Sequence, residues 1–185
     1  TLRVESRKTG ETFEVRAGRI VGADGRKSMV RQSLRAEESS ALLSYMPSVE
    51  LRGVELPREG FGHVVLGGPG PALFYRISDD VVRGCLDVPV ALGASARTRE
   101  FLWDGFAPVV PEGLRAALRV ALESGPSAWA VNRFRPRTFF GRGDVALVGD
   151  AVGHVHPMTA FGLSAGFLDA PALARARTIA EYAKA

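Results

Sequence analysis

The chain has 185 residues, 46% of them hydrophobic, a composition that supports a folded domain with a hydrophobic core and excludes a disordered or fibrous protein. The net charge of +4 comes from 24 basic residues scattered among 20 acidic ones, without the like-charge runs typical of nucleic-acid binding. The longest apolar stretch, around residues 145–148, is strand-sized and far too short to cross a bilayer. A single cysteine, Cys85, excludes an internal disulfide, and we predict that it packs within a strand.

The first 34 residues predict a hairpin followed by a strand, a glycine turn and a short helix. Apolar and polar residues alternate in LRVES and in ETFEVRAG, and the turn residues Lys8, Thr9 and Gly10 join the two runs. A third strand is expected in RIVGADG. Helix-like spacing from Ser28 to Leu34 predicts the helix.

The middle of the chain predicts an antiparallel sheet in a second layer, followed by helices. Gly, Pro and Asp turns separate four β-rich runs within residues 41–90, namely SYMPSVELRG, GHVVLGG, ALFYRIS and VVRGCLDVPV. Residues 97–123 change to a helical period, with Leu114, Leu118 and Leu122 on one face. Pro126 is expected to end this helical segment.

The last third predicts a short strand at residues 144–148, a loop at 149–162 and a long helix at 163–184. Pro171 should kink or divide that helix, because proline lacks the N–H and crowds the preceding turn. The strand delivers Asp150 at its carboxyl end, where open α/β sheets bind ligands and a carboxylate accepts hydrogen bonds from sugar-type hydroxyls. The small residues after Phe161 open a helix whose free N–H groups favour a ligand that gains negative charge.

Residues 143–162 resemble the GD motif of the flavoprotein hydroxylases with the p-hydroxybenzoate hydroxylase fold, and HPMTAFG followed by LDA is most similar to squalene monooxygenase. The resemblance implies FAD as cofactor. In that family the aspartate matching Asp150 holds the ribityl chain, and the proline matching Pro157 lies beside the isoalloxazine ring. The candidate cofactor-binding residues of this segment are Gly149, Asp150, Pro157, Gly162, Leu163 and Ser164.

The segment RIVGADGRKSMVRQSL, residues 19–34, is similar to the DG motif of the same family. Family members use this region near the FAD pyrophosphate and the nicotinamide nucleotide. Asp24, Gly25 and Arg31 are therefore further cofactor-binding candidates. On its own GADG is also a common structural turn, but its order and distance relative to the GD motif agree with the family's fold.

Residues 72–89 resemble the substrate-domain strands of squalene monooxygenase, which run from a tyrosine to Asp-Val-Pro. By position, Tyr75 is a candidate for lining the substrate, although an aromatic residue in a strand more often serves the core. The resemblance adds His156 and Phe161 as substrate-lining candidates; His154 departs from the related patterns, and its role is left open. We predict no metal site, because the two histidines lack further ligands at metal-binding spacing.

The resemblance implies an α/β (α+β) fold: a Rossmann-like FAD- and NAD(P)-binding part with an antiparallel β-sheet substrate domain. Residues 1–40 and 129–185 are assigned to the FAD-binding part and residues 41–128 to the substrate domain. The strand, GxGxxG and helix that open such enzymes do not occur in the sequence, and the cluster Gly67-Gly68-Pro69-Gly70 is predicted to be a turn. The chain begins without a signal-peptide pattern, and we expect it to be a piece of a longer polypeptide with a separate N-terminal FAD-binding segment.

The implied function is that of an FAD-dependent monooxygenase or epoxidase, which uses NAD(P)H and O2 to oxygenate an apolar small molecule of the isoprenoid, squalene-like type. Two alternatives stay open: a double-bond reductase of the geranylgeranyl reductase type, and a catalytically incomplete fragment or binding module. We expect no nucleic-acid partner and a cytoplasmic location, and leave peripheral membrane contact open. The exact substrate, the electron donor and the oligomeric state are undecided.

Overall fold

The computed structural model describes residues 1–36 and 39–185. It divides the chain into two compact units: unit 1 comprises Thr1–Ser40 and Arg135–Ala185, and unit 2 comprises Ala41–Phe134. Within the described part of the chain, no helix combines the length and apolar character that a membrane span requires.

Unit 1 opens with a hairpin, a strand and a short helix, as predicted. The elements are β1 (Leu2–Glu5), β2 (Thr12–Val15), β3 (Ile20–Gly22) and α1 (Met29–Ser33). β1 and β2 pair antiparallel, which agrees with their alternating pattern. The side chain of Ser28 caps α1 by accepting a hydrogen bond from the N–H of Arg31 at 2.9 Å, and so satisfies a donor that the first helical turn leaves free.

Unit 2 contains the predicted antiparallel sheet. Its elements are β4 (Ala41–Arg52), β5 (His63–Val65), β6 (Ala72–Ser78), β7 (Val81–Leu86), β8 (Val88–Pro89), α2 (Arg99–Phe106), α3 (Glu112–Ser124) and β9 (Ala128–Phe134). β5, β6 and β7 are antiparallel neighbours, and β4 pairs with β7, β8 and β9. The Gly67-Gly68-Pro69-Gly70 cluster lies in the turn region between β5 and β6, as predicted.

The core of unit 2 lies between the sheet and its helices. Leu114, Leu118 and Leu122 recur at helical spacing on α3 and are buried against sheet residues such as Leu51 and Phe74. Burying one such side chain contributes about 1.5–3 kcal/mol to the stability of the folded state. The predicted apolar face of the helix is therefore confirmed, as is the burial of the unpaired cysteine within β7.

The chain returns to unit 1 through β10 (Gly141–Arg142), β11 (Val145–Leu147), α4 (Phe161–Arg175) and α5 (Ile179–Tyr182). β11 is antiparallel to β10 and parallel to β3, with Leu147 opposite Gly22. Gly22 permits this close packing, since a Cβ there would lie 2.8 Å from side-chain atoms of Leu147 and Val30. Parallel strands end at the same edge of a sheet, so the DG and GD segments emerge side by side.

Two boundaries differ from the sequence prediction. The return to unit 1 falls after Phe134 rather than after residue 128, because β9 pairs along β4. The helix predicted for residues 163–184 begins at Phe161 and ends at Arg175, and Pro171 lies inside it, so of the two predicted effects of the proline, a division of the helix there is wrong. Burial of Leu173 beyond the proline offsets the lost backbone hydrogen bond, and the chain leaves the helix only at Ala176, which has an extended conformation.

Candidate functional site

The turn after β11 presents Asp150 at the carboxyl end of a parallel strand, the position expected from the sequence. Residues Gly149–Ala151 form a 3-10 turn directly after the strand. Gly149 has φ +60°, a left-handed conformation that glycine adopts without steric cost. The Asp150 side chain is 23% exposed, so it is partly sheltered but accessible to a ligand.

One oxygen of the Asp150 carboxylate is held and the other is open. Oδ2 accepts a hydrogen bond from Arg26 Nε at 3.2 Å, whereas no residue that the structure describes donates one to Oδ1. The carboxylate lies against the first turn of α4, where a Cβ on Gly162 would come within 2.9 Å of Oδ1. A free acceptor therefore lies beside the N-terminus of a 15-residue helix, the end whose dipole favours negative charge.

A partly buried ion pair holds the backbone just before Asp150. Arg137 Nη2 donates to both carboxylate oxygens of Asp169, at 2.6 and 2.7 Å. The same pair binds both polar groups of Gly149: its N–H donates to Asp169 Oδ2 at 2.6 Å, and its carbonyl accepts from Arg137 Nη1 at 2.9 Å. Charge-assisted hydrogen bonds of this kind are stronger than neutral ones, so the pair fixes the peptide that leads into Asp150.

Asp24 and Gly25 shape the turn of the DG segment. Asp24 Oδ2 accepts from the backbone N–H groups of Met29 at 2.7 Å and Val30 at 3.1 Å. Partial burial favours the neutral acid, but these hydrogen bonds and one with Ser28 outweigh it and lower the pKa of Asp24. Gly25 has φ +76°, which suits glycine. Direct contact of Asp24 or Gly25 with a cofactor stays a prediction.

Arg31 joins the DG turn to the turn that carries Asp150. Its side chain is buried, with 2% of the residue exposed. Nη1 donates to the carbonyl of Ala151 at 2.7 Å, and Nη2 donates to the carbonyl of Arg26 at 3.2 Å. The guanidinium thus binds both backbone segments: the one that contains Asp150 and the one that contains its partner Arg26.

The loop before α4 carries the predicted His156 and Pro157. His156 Nδ1 accepts from the N–H of Met158 at 3.3 Å, and Pro157 begins the 3-10 turn Pro157–Thr159. Ala160 follows with φ +51°, an unusual left-handed conformation for a residue with a Cβ. Among the described residues, no group of three or more His, Cys, Asp or Glu side chains is arranged to hold a metal ion.

His154, whose role the sequence analysis left open, is buried. Its backbone exchanges hydrogen bonds with Arg135 at 2.9 and 3.0 Å, and only 5% of the residue is exposed. Burial, and then the positive charge of Arg26, lower the pKa of His154. The imidazole is therefore neutral at neutral pH.

The first turn of α4 exposes the remaining predicted site residues of unit 1. Phe161 is 40% exposed and Leu163 is 73% exposed, and Ser164 is also exposed. Phe161 additionally lines a groove of about 410 Å³ with Asp169 and Tyr182. The start of the helix thus combines accessible apolar side chains with the backbone N–H groups of its first turn.

Tyr75 lies in unit 2, on β6, and is partly buried. Its neighbour Phe74 is fully buried in the core, and successive strand residues point to opposite faces, so Tyr75 is on the face away from that core. It is the cross-strand partner of Arg83, and interaction with the Tyr75 hydroxyl raises the pKa of Arg83. Burial raises the pKa of the nearby Cys85 thiol, which keeps it unreactive.

Sequence reasoning missed four residues that build the site: Arg26, Arg137, Asp169 and Tyr182, whose hydroxyl donates to the carbonyl of Leu147 at 2.9 Å. Arg26 follows the Asp-Gly pair directly, so the motif itself contained a signal. Asp169 stands about two helical turns after Gly162 and therefore on the same helix face. Arg137 and Tyr182 act across long sequence separations, and no local pattern marks them.

Comparison with known proteins identifies relatives of this chain. The family model described as squalene epoxidase matches residues 16–182. Squalene epoxidase 2, mitochondrial, of Arabidopsis thaliana is 34% identical over 168 residues, which cover 88% of this chain and 28% of the relative. Squalene epoxidase ERG1 of Candida albicans is 29% identical, with 93% of this chain and 36% of the relative covered. The chain therefore spans about a third of the length of these curated relatives.

Solved structures show the same fold. PqsL of Pseudomonas aeruginosa, described as a probable FAD-dependent monooxygenase, superposes with a TM-score of 0.67 at 26% identity, over 93% of this chain and 48% of that chain. HpxO of Klebsiella pneumoniae, complexed with FAD and uric acid, has a TM-score of 0.66 at 21% identity, with 98% and 48% covered. The predicted combination of a Rossmann-like part with an antiparallel sheet is thus confirmed.

Proposed function

This chain belongs to the squalene epoxidase family, and we propose that it forms the flavin-contacting part of an FAD-dependent monooxygenase. The observation that carries the proposal is the Asp150 carboxylate, held by Arg26 on one oxygen and open on the other, beside the N-terminus of α4. Because the chain spans about a third of its curated relatives, the activity proposed is that of a longer protein. We assign the ADP half of the cofactor to a segment outside these residues.

The described residues fit the ribityl and isoalloxazine parts of FAD. The open Oδ1 of Asp150 is an acceptor for a ribityl hydroxyl. The backbone from Gly162 to Ser164 offers N–H groups and the positive end of the helix dipole to the electron-rich edge of the ring. Pro157 stands at the start of the loop that enters this helix, which supports its predicted place beside the ring.

The chemistry supplied by bound FAD would be the acceptance of reducing equivalents from NAD(P)H and the activation of O2. The residues of this chain would bind and orient it: Asp150 through its carboxylate, α4 through its first turn, and the DG turn of Asp24, Gly25 and Arg31 by supporting the Asp150 segment. None of these roles requires a side-chain nucleophile or a metal ion.

We propose an apolar small molecule of the squalene type as substrate, on the strength of the family assignment. Tyr75, His156 and Phe161 remain the predicted lining. Phe161 is accessible at the start of α4, and Tyr75 faces away from the core of unit 2, which supports these assignments. A cytoplasmic location stays a prediction, and peripheral membrane contact stays an open alternative.

The decisive experiment uses the polypeptide with its native upstream sequence. We expect the purified protein to show the absorption of oxidised flavin, and Asp150→Ala to lose most of it while remaining folded. Asp144→Ala is the matched control, because Asp144 is an exposed acid in the turn directly before β11, in the same unit. Flavin retained equally by wild type and Asp150→Ala would contradict the proposed site.

A second measurement separates oxygenation from the alternatives. NADPH-dependent O2 uptake with squalene, together with an epoxide in the product, is the result expected for a monooxygenase. A double-bond reductase would consume NADPH and hydrogenate the substrate without O2 uptake coupled to product. A non-catalytic module would bind no flavin, or would consume neither NADPH nor squalene, and either outcome would overturn the proposal.

A further inference from the structure

The ion pair between Arg26 and Asp150 lies at the surface of the candidate site. The two side chains are 38% and 23% exposed, and the Nε to Oδ2 distance is 3.2 Å. An ion pair as exposed as this contributes little to folding stability. Its position on the carboxylate assigned to the cofactor therefore points to a role in binding.

Arg26 is itself fixed relative to Asp150. The buried Arg31 guanidinium binds the carbonyl of Arg26 at 3.2 Å and the carbonyl of Ala151 at 2.7 Å. One cation thus ties together the backbone that carries Arg26 and the residue that follows Asp150. This buried contact fixes the distance between the backbone of Arg26 and the turn that carries Asp150.

Among the described residues, Arg26 is the hydrogen-bond donor that holds the Asp150 carboxylate. Gly162 places no side chain against it, and no other described residue donates a hydrogen bond to either of its oxygens. Rotation about the Cβ–Cγ bond of a free aspartate is a soft motion. The contact with Arg26 selects the orientation that holds Oδ2 and leaves Oδ1 open at the first turn of α4.

We propose that Arg26 is a positioning residue for flavin binding, which orients the Asp150 carboxylate so that Oδ1 meets a ribityl hydroxyl. This inference rests on the proposed function. Holding a binding group in its bound orientation before the ligand arrives raises affinity, because less freedom is lost on binding.

The test measures dissociation constants by flavin fluorescence in the polypeptide with its native upstream sequence. The variants are Arg26→Gln, Arg26→Lys, Asp150→Ala and the double variant Arg26→Gln with Asp150→Ala. Lys27→Gln is the matched control: it removes the same charge from the next residue, whose side chain is exposed. The probes are FAD and riboflavin. Both contain the ribityl chain, but only FAD carries phosphate groups.

We expect Arg26→Gln to weaken the binding of both flavins by about three- to five-fold, the scale of one lost, partly exposed ionic contact. Arg26→Lys should recover part of this loss, and Lys27→Gln should bind as wild type. In the Asp150→Ala background, Arg26→Gln should add less than about a two-fold further loss, because coupled residues are not additive.

Three results would overturn the inference alone, with flavin still bound by wild type. Unchanged flavin binding in Arg26→Gln would show that the ion pair does not contribute to binding, and tighter binding would show that Arg26 competes with the flavin for Asp150. A loss confined to FAD would show that Arg26 attracts the phosphates instead of acting on the ribityl site. Full additivity with Asp150→Ala would show that Arg26 acts independently of it. A wild-type protein that binds no flavin would overturn the proposed function as well.

Discussion

Replacing Gly162 by alanine should separate flavin affinity from folding stability. The new Cβ would lie 2.9 Å from Asp150 Oδ1 and 3.2 Å from Oδ2, closer than van der Waals contact allows, so the carboxylate must move. Moving it stretches the contact with Arg26, which as a partly exposed pair is worth about 0.5–1 kcal/mol. Alanine in place of glycine favours a helix by up to about 1 kcal/mol.

These two contributions nearly cancel, so the free energy of unfolding of Gly162→Ala should stay within about 1 kcal/mol of wild type. The dissociation constant of FAD should rise about ten-fold or more, because the acceptor for the ribityl hydroxyl is displaced; ten-fold corresponds to about 1.4 kcal/mol. Urea unfolding and flavin fluorescence titration of the same samples measure the two quantities.

Gly166→Ala is the matched control on the same helix. Gly166 lies in the helix interior, and a Cβ there would meet its nearest neighbour, the Cα of Gly149, only at 4.0 Å. We expect this variant to gain about 0.5–1 kcal/mol of stability and to bind FAD as wild type does. Equal flavin affinity in wild type and Gly162→Ala, or equal losses in both glycine variants, would refute the reasoning.

Three further predictions follow from the anchoring of the site. Asp169→Asn should lower the free energy of unfolding by about 3 kcal/mol in urea titrations, because it leaves Arg137 as a largely buried charge without its partner. The pKa of His154 is lowered in the folded protein, so below about pH 6.5 the unfolded chain binds the proton more readily than the folded protein does. The free energy of unfolding should therefore fall as the pH drops, until the pH passes the folded-state pKa. His154→Gln should reduce this pH dependence in urea unfolding midpoints measured over a pH series. Ala160→Gly should stabilise by about 0.5–1 kcal/mol in thermal unfolding, because glycine relieves the left-handed backbone at φ +51°; unchanged or lower stability would show that the loop holds Ala160 without strain.

The parts of the fold that the sequence predicts are those specified by short-range periodicity. The leucine repeat of α3 and the alternation in β6 each report a burial pattern that lies within one element. Asp150 is also predictable, because a short apolar strand followed by a glycine places it at the strand end. The sequence does not predict β9, since its residues are mostly exposed and the strand is defined by its pairing with β4, far away in sequence.

The end of α4 shows the limit of local signals. Proline is the strongest helix breaker, yet Pro171 lies inside the helix. Buried residues on both sides of it, Ala165 and Leu173, hold the helix through packing. A rule based on one residue fails where the tertiary contacts of a whole helix face outweigh a single lost hydrogen bond.

The same distinction explains the anchoring of the candidate site. Three consecutive residues of the turn are each bound by a different arginine: Gly149 by Arg137, Asp150 by Arg26 and Ala151 by Arg31. None of these arginines lies within ten residues of the turn, so the GD motif by itself does not reveal what holds it. Arg31 also binds the carbonyl of Arg26 in the DG segment, and Arg137 also binds Asp169 on α4, so these two arginines connect the turn to both elements. A ligand that binds Asp150 therefore meets a carboxylate whose backbone is already ordered, and the variants that weaken this order should lower flavin affinity before they unfold the protein.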